Sequence, residues 1–165
     1  MLSLQNVILV VTATTTALIA GLFYAWTCSV IPGLARLSNA EFVKAMQSFN
    51  VAIQNPLFFF SFLGTAILLP VSTYVHYGHP VTNRFYFLLA ATIFYLAGVL
   101  AVTFFGNIPL NEELARFNIA SATSEALMNQ RNKFVKPWNS LNTIRTICSA
   151  LALVMVILAC LSREE

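Results

Sequence analysis

Four stretches of the chain are almost wholly apolar: residues 7–31, 57–76, 85–105 and 141–161. A helix rises about 1.5 Å per residue, so crossing a hydrocarbon core of roughly 30 Å takes about 20 such residues. Each stretch is long enough. No charged side chain occurs before Arg36, and the third stretch has none; the fourth carries Arg145 near its start. Pro70 lies inside the second. Proline removes one backbone hydrogen bond, and membrane helices tolerate it where neighbours satisfy the freed carbonyl, so the pattern predicts a kink there and not a break. The pattern therefore predicts an all-α fold, a four-transmembrane-helix bundle making a single integral membrane domain over residues 1–165.

Shorter amphipathic helices are expected in the first and third connections, lying at the interface. In the first, Ser38 followed by Glu41 fits a capping box. Phe42, Ala45, Met46, Phe49 and Ile53 then share one helical face, with Gln47, Asn50 and Gln54 along its flank. Asn55-Pro56 ends that helix. The third connection, residues 106–137, opens with Asn107-Ile108-Pro109-Leu110-Asn111-Glu112-Glu113. An Asn cap, an early proline and nearby acids are helix-start features. A second helix is expected from about Ser121 to Val135, ahead of Pro137. In the first span Ala13, Ala17 and Gly21 recur every four residues, which predicts a close helix approach. The neighbouring Thr12, Thr14, Thr15 and Thr16 can bond their own helix carbonyls.

Composition supports the membrane assignment. Of the residues, 58% are hydrophobic and 9% charged, against about a quarter charged in soluble domains. The first apolar run is too long for a signal peptide and reads as a span. Nine Lys+Arg face six Asp+Glu, scattered without a basic patch for nucleic acid. The expected partners are membrane lipids and a lipophilic small-molecule ligand, with oligomerisation left open. Four spans put both termini on one side. The long connections carry Arg36, Lys44, Arg116, Arg131, Lys133 and Lys136, whereas the other side offers Arg84 and Arg163. The positive-inside rule places the long connections in the cytoplasm and the termini outside it, at the cell membrane if the source is bacterial. Cys28, Cys148 and Cys160 sit in apolar runs without a CxxC pair and read as small buried hydrophobes.

The chemistry-bearing residues are few. Trp138, Asn142, Arg145 and Ser149 fall on one stripe of the fourth helix. A guanidinium one to two turns inside a membrane is costly unless paired, hydrated or snorkelling. Two readings stand side by side: a functional polar pocket, or an arginine snorkelling to headgroups with Trp138 as interface anchor. The Asn107–Glu113 segment is either a helix cap or a polar rim in which Glu112 or Glu113 pairs with Arg145. The row Gln47, Asn50 and Gln54 is either a solvated flank or a set of amides orienting a polar ligand group. His76 and His79 form an H-x-x-H pattern with no further ligand nearby in sequence, short of the three or four a metal needs. With no Gly-rich phosphate loop, nucleophile elbow or Cys/His cluster, no cofactor or metal is expected.

These segments together resemble the anthrone oxygenase-like family of small membrane proteins. The resemblance is carried by Gly21-Leu22-Phe23-Tyr24-Ala25 with Pro32-Gly33-Leu34, by Met46-Gln47-x-x-Asn50 with Asn55-Pro56, by Asn107-x-Pro109-Leu110-Asn111, and by Trp138-x-x-x-Asn142-x-x-Arg145-Thr146. It implies a four-helix membrane fold. It also implies oxidation of polyketide anthrones to anthraquinones without metal or flavin, O₂ attacking a substrate carbanion. The positions it singles out as candidate substrate-binding residues are Gln47, Asn50, Asn107, Asn111, Trp138, Asn142 and Arg145; it assigns no catalytic residue. Two functions follow. One is a cofactor-free oxygenase of a lipophilic aromatic or polyketide-like substrate. The other is a non-catalytic membrane protein that binds a lipid, quinone or protein partner.

Overall fold

The computed structural model describes residues 3–162. Arg163, counted above on the terminal side, lies outside the described residues. The helices are α1 (Leu4–Ala35), α2 (Asn39–Ala52), α3 (Pro56–Val75), α4 (Asn83–Ala115) and α5 (Ser124–Leu161). All but α2 are long and apolar enough to cross a membrane, making this a multi-pass membrane protein. Starts follow the sequence signals. Ser3 accepts from the Asn6 N–H, Asn55 from Phe58 and Thr123 from Ala126. At α2 the capping box is complete: Ser38 Oγ accepts from the Glu41 N–H while the Glu41 carboxylate accepts from the Ser38 N–H at 2.9 Å. The Ser38 hydroxyl also donates to that carboxylate, at 2.6 Å, and this bond first and the Ser38 N–H second hold the Glu41 carboxyl below its ordinary range.

The third connection differs from expectation. Asn107 does not cap a new helix; its backbone is helical and its side chain makes no capping bond. The chain passes from span to connection through a π turn, Thr103–Asn107. Pro109 has no N–H to lose and sits just past that wide turn, so the helix continues. Likewise α5 starts at Ser124 and runs unbroken through Pro137. Phe134 and Trp138, on either side of the proline, are both buried in one core, which holds the helix through it. The interfacial helices of this connection are thus the projecting ends of α4 and α5. The helix α3 also continues through Pro70.

In the bundle α1 packs on α3 and α5, and α4 packs on the same two. An inner apolar core holds Ile19, Phe23, Phe62, Leu69, Tyr95, Val99 and Val156. A second core, at the end of the bundle that carries the long connections, joins Leu34 of α1 and Phe42, Val43 and Met46 of α2 to Leu114, Leu127, Phe134 and Trp138. Lipid is no worse a solvent for apolar side chains than the interior, so close packing and hydrogen bonds must hold the spans together. Thr12 bonds Ser72 at 2.6 Å, Thr73 bonds Thr92 at 2.9 Å, and the Tyr95 hydroxyl donates to the Phe62 carbonyl at 2.8 Å. Arg84 caps the end of α5, donating to the Ala159 and Ser162 carbonyls.

The small-residue face of α1 does not make the expected close contact. Ala17 and Gly21 are exposed, and nothing lies within 4 Å of a Cβ built on Gly21. The face toward the bundle is the neighbouring one, with Thr12, Thr15, Thr16, Ile19 and Phe23. Close approach occurs instead at Gly98, where a Cβ would lie 2.3 Å from Cys148 Sγ, and at Gly106, 2.9 Å from Leu141. Cys28 and Cys160 are exposed rather than buried, and Cys148 is intermediate; at the bundle's outer surface a thiol meets lipid as readily as it meets a core.

Candidate functional site

Between the two apolar cores lies a polar layer built on Arg145. Along α5 it falls between Trp138 of one core and Ala152 of the other. The stripe expected from helical spacing faces inward: Asn142 and Ser149 are fully buried, Trp138 and Arg145 nearly so, with Arg145 7% exposed. The snorkelling reading of Arg145 is therefore overturned. Its Nη2 donates to Asn142 Oδ1 at 2.9 Å and its Nη1 to Thr103 Oγ1 at 3.3 Å. The guanidinium carbon sits 4.6 Å from the centre of the Phe23 ring and 5.5 Å from that of Trp138. Aromatic faces stabilise a cation by about 0.5–2 kcal/mol, more where water is excluded.

The neighbours of Arg145 are fixed in turn. Asn142 Nδ2 donates to Thr27 Oγ1 at 3.0 Å, and Thr27 bonds Thr146 at 2.9 Å, tying α1 to α5. Trp138 Nε1 donates to Asn111 Oδ1 at 2.7 Å, tying α5 to the projecting end of α4. Trp26 of α1 lies against Trp138, ring centres 5.7 Å apart, and edge-on to Phe49 of α2 at 5.3 Å. Both helices that face Arg145 widen here. The π turns Trp26–Val30 and Thr103–Asn107 flank the layer. Such turns shift side chains off the regular helical register and recur at functional sites.

Several buried polar atoms have no hydrogen-bond partner among the described residues: Arg145 Nε and both polar side-chain atoms of Asn107 in this layer, Trp26 Nε1 beside it, and Asn50 Nδ2 on α2. Asn107 is 1% exposed and stands one helical turn from both Thr103, which holds Arg145, and Asn111, which holds Trp138. An unpaired buried polar group costs about 1–3 kcal/mol. A cluster of them around a buried cation is what a polar ligand would satisfy.

Toward the surface from Trp138, a cavity of about 60 Å³ is walled by Trp26, Leu34, Phe42, Met46, Phe134 and Trp138. Arg131 bounds it and is fully engaged in closing α1, donating to the carbonyls of Leu34, Ala35 and Leu37.

Other candidates fall elsewhere. Gln47 is not on a solvated flank: its Nε2 donates at 2.9 Å to the Leu114 and Phe117 carbonyls, latching α2 onto the end of α4. Gln54 is exposed and bonds the Asn50 carbonyl. Glu112 and Glu113 do not reach Arg145; they face outward, paired with Arg116 at 3.7 Å and Lys133 at 2.6 Å. His76 and His79 lie in the short α3–α4 loop, His76 Nδ1 against the Ser72 carbonyl. Among the described residues no three His, Cys, Asp or Glu side chains group to hold a metal ion. Sequence reasoning did not single out Phe23, Trp26, Thr27 or Thr103. Thr103, Asn107 and Asn111 form a polar row at four-residue spacing that runs on from an apolar span, a signal that would have found the first.

A family model of anthrone oxygenases matches residues 56–155, 100 of the chain's 165 residues. The chain belongs to the anthrone oxygenase family. Searches of curated proteins and of solved structures gave no match. The matched region takes in Thr103, Asn107, Asn111, Trp138, Asn142 and Arg145. The anthrone oxygenase match leaves α1 and α2 outside, and with them Phe23, Trp26 and Thr27, which complete the layer.

Proposed function

We propose that this membrane protein is an oxygenase that holds a planar, lipophilic, oxygen-bearing aromatic of the anthrone type with its oxygen toward Arg145. The observation that carries the reading is a buried guanidinium with no acidic partner among the described residues, set against aromatic faces and near unpaired amide and indole groups. A flat aromatic suits Phe23, Trp26 and Trp138, and a carbonyl or phenolic oxygen suits the guanidinium through charge-assisted bonds. In the reaction the anthrone methylene loses a proton and its carbanion takes up one O₂. The methylene becomes a ketone and one water leaves. The protein binds, orients and stabilises negative charge on the substrate oxygen, the contribution that preorganised donors make best.

Purified protein in lipid nanodiscs, given a hydroxyanthrone in air-saturated buffer, is expected to consume one O₂ per quinone formed, faster than nanodiscs alone. A rate equal to the empty-nanodisc background with every anthrone tried would remove the oxygenase reading. A second reading is supported by the lack, among the described residues, of any carboxylate or imidazole around Arg145: the layer binds a quinone or lipid headgroup without turning it over. Tight anthraquinone binding without anthrone turnover is the result that favours it.

A further inference from the structure

Among the described residues, the layer around Arg145 contains a cation and no base. On α5 its neighbours are Trp138, Asn142 and Ser149, with Cys148 one turn on, its Sγ against Gly98. On α4 they are Thr103 and, beyond it, Asn107; the Tyr95 hydroxyl, two turns away, is bonded to the Phe62 carbonyl. On α1 they are Phe23 and Thr27. Helix α3 carries no charged residue, and Glu41 and Lys44 of α2 are exposed. The remaining described acids, Glu112, Glu113 and Glu125, are exposed too, and the sequence has no aspartate. Both histidines lie in the loop at the opposite end from the long connections.

An arginine keeps its proton under almost all conditions. Burying that charge unpaired is expensive, and an anion beside it relieves the cost for both partners. In a medium of low dielectric the attraction between unit charges a few Å apart far exceeds its value in water. A neighbouring cation lowers the pKa of an acid by favouring its ionised form.

We infer that the site takes its ligand as an anion, a phenolate or enolate, and that the Arg145 charge, not a side-chain base, ionises it, the proton leaving to water. This rests on the proposed aromatic-ligand reading. It gives the chemistry a carbanion-forming step in a layer that has no base: the acidic C–H or O–H loses its proton because the product anion is held. The Nε–H of Arg145 has no partner among the described residues, and Nη1 and Nη2, which serve Thr103 and Asn142, each keep a second N–H to donate.

The test is calorimetric titration of the whole protein in nanodiscs with 2-naphthol below the pKa of its hydroxyl. It is run in two buffers that differ in ionisation enthalpy, with 2-methoxynaphthalene as the probe that cannot ionise. The expected result is release of about one proton per naphthol bound, and an apparent affinity that rises about tenfold per pH unit until the naphthol's own pKa. The more acidic 6-cyano-2-naphthol should reach its plateau at lower pH, and the methoxy probe should bind at least about tenfold more weakly. Naphthol binding without proton release, or with a pH midpoint that stays put when the ligand is changed, overturns the inference and leaves the aromatic-ligand reading standing. No binding of either naphthol counts against both. In Arg145→Met the proton release should vanish; should that variant not fold, the wild-type proton count decides alone.

Discussion

Replacing Gly98 with alanine sets two opposed effects against each other at one atom. Alanine is favoured over glycine inside a helix by about 0.5–1 kcal/mol. At Gly98, however, the new Cβ would lie 2.3 Å from Cys148 Sγ and 2.5 Å from Cys148 Cβ. Carbon atoms in good contact stand about 3.5–4.0 Å apart. The Sγ can rotate away but the Cys148 Cβ cannot, so α4 and α5 must separate by on the order of 1 Å. Overpacking of this kind costs about 1–3 kcal/mol, which outweighs the helical gain. The same separation pulls Thr103 from Arg145, whose bond is already 3.3 Å long. Gly98→Ala is therefore expected to lose about 1–2 kcal/mol, read by denaturant titration of circular dichroism in a fixed detergent. Gly21→Ala, with open space around it, should be neutral or slightly stabilising. In a Cys148→Gly background Gly98→Ala should cost little, because the obstructing atoms are gone. Equal stability of Gly98→Ala and Gly21→Ala would refute the argument.

Arg131→Ala should destabilise the protein by about 2 kcal/mol, since charged donors to the Leu34, Ala35 and Leu37 carbonyls are lost; thermal melts check it, and an unchanged melt would mean those carbonyls find other donors. The capping of α2 should be pH-dependent. Hydrogen bonds from Ser38 lower the Glu41 pKa in the folded state from 4.5, so the stabilisation is present above that value and is lost as pH falls through the lower folded value. Helicity in an acid titration should show this, and Glu41→Gln should flatten the response. For topology, cysteines placed at Ser121 and Gly78 in a chain otherwise free of cysteine should react from the cytoplasmic and the opposite side respectively; labelling of position 121 only from outside reverses the orientation.

The spans were legible because lipid imposes a length and a hydrophobicity that no soluble helix needs, and four stretches met both. The stripe from Trp138 to Ser149 was legible because a helix fixes which residues share a face. The helix ends in the third connection were not. Asn107, Pro109 and Pro137 carry local signals for starts and stops, and tertiary packing overrode them through a π turn and a shared core around Phe134 and Trp138. Small residues on α1 marked a plausible close approach, yet the bundle uses Gly98 and Gly106; spacing alone does not say which face a helix turns inward. The partners of Arg145 on α1 were invisible for the same reason, since Phe23 and Thr27 meet it only through the packing of distant helices.

Turnover by Arg145→Lys tests the central claim most directly. Lysine keeps the positive charge but loses the planar fork that reaches Thr103 and Asn142 together and that, in the proposed function, also meets a ligand oxygen. With hydroxyanthrone as substrate and O₂ uptake as readout, kcat/KM is expected to fall about tenfold or more, at least about 1.4 kcal/mol of transition-state stabilisation, while the unfolding midpoint moves little. A Lys variant as active as the parent, with Arg145→Met equally active, would contradict the claim that this buried guanidinium holds the substrate.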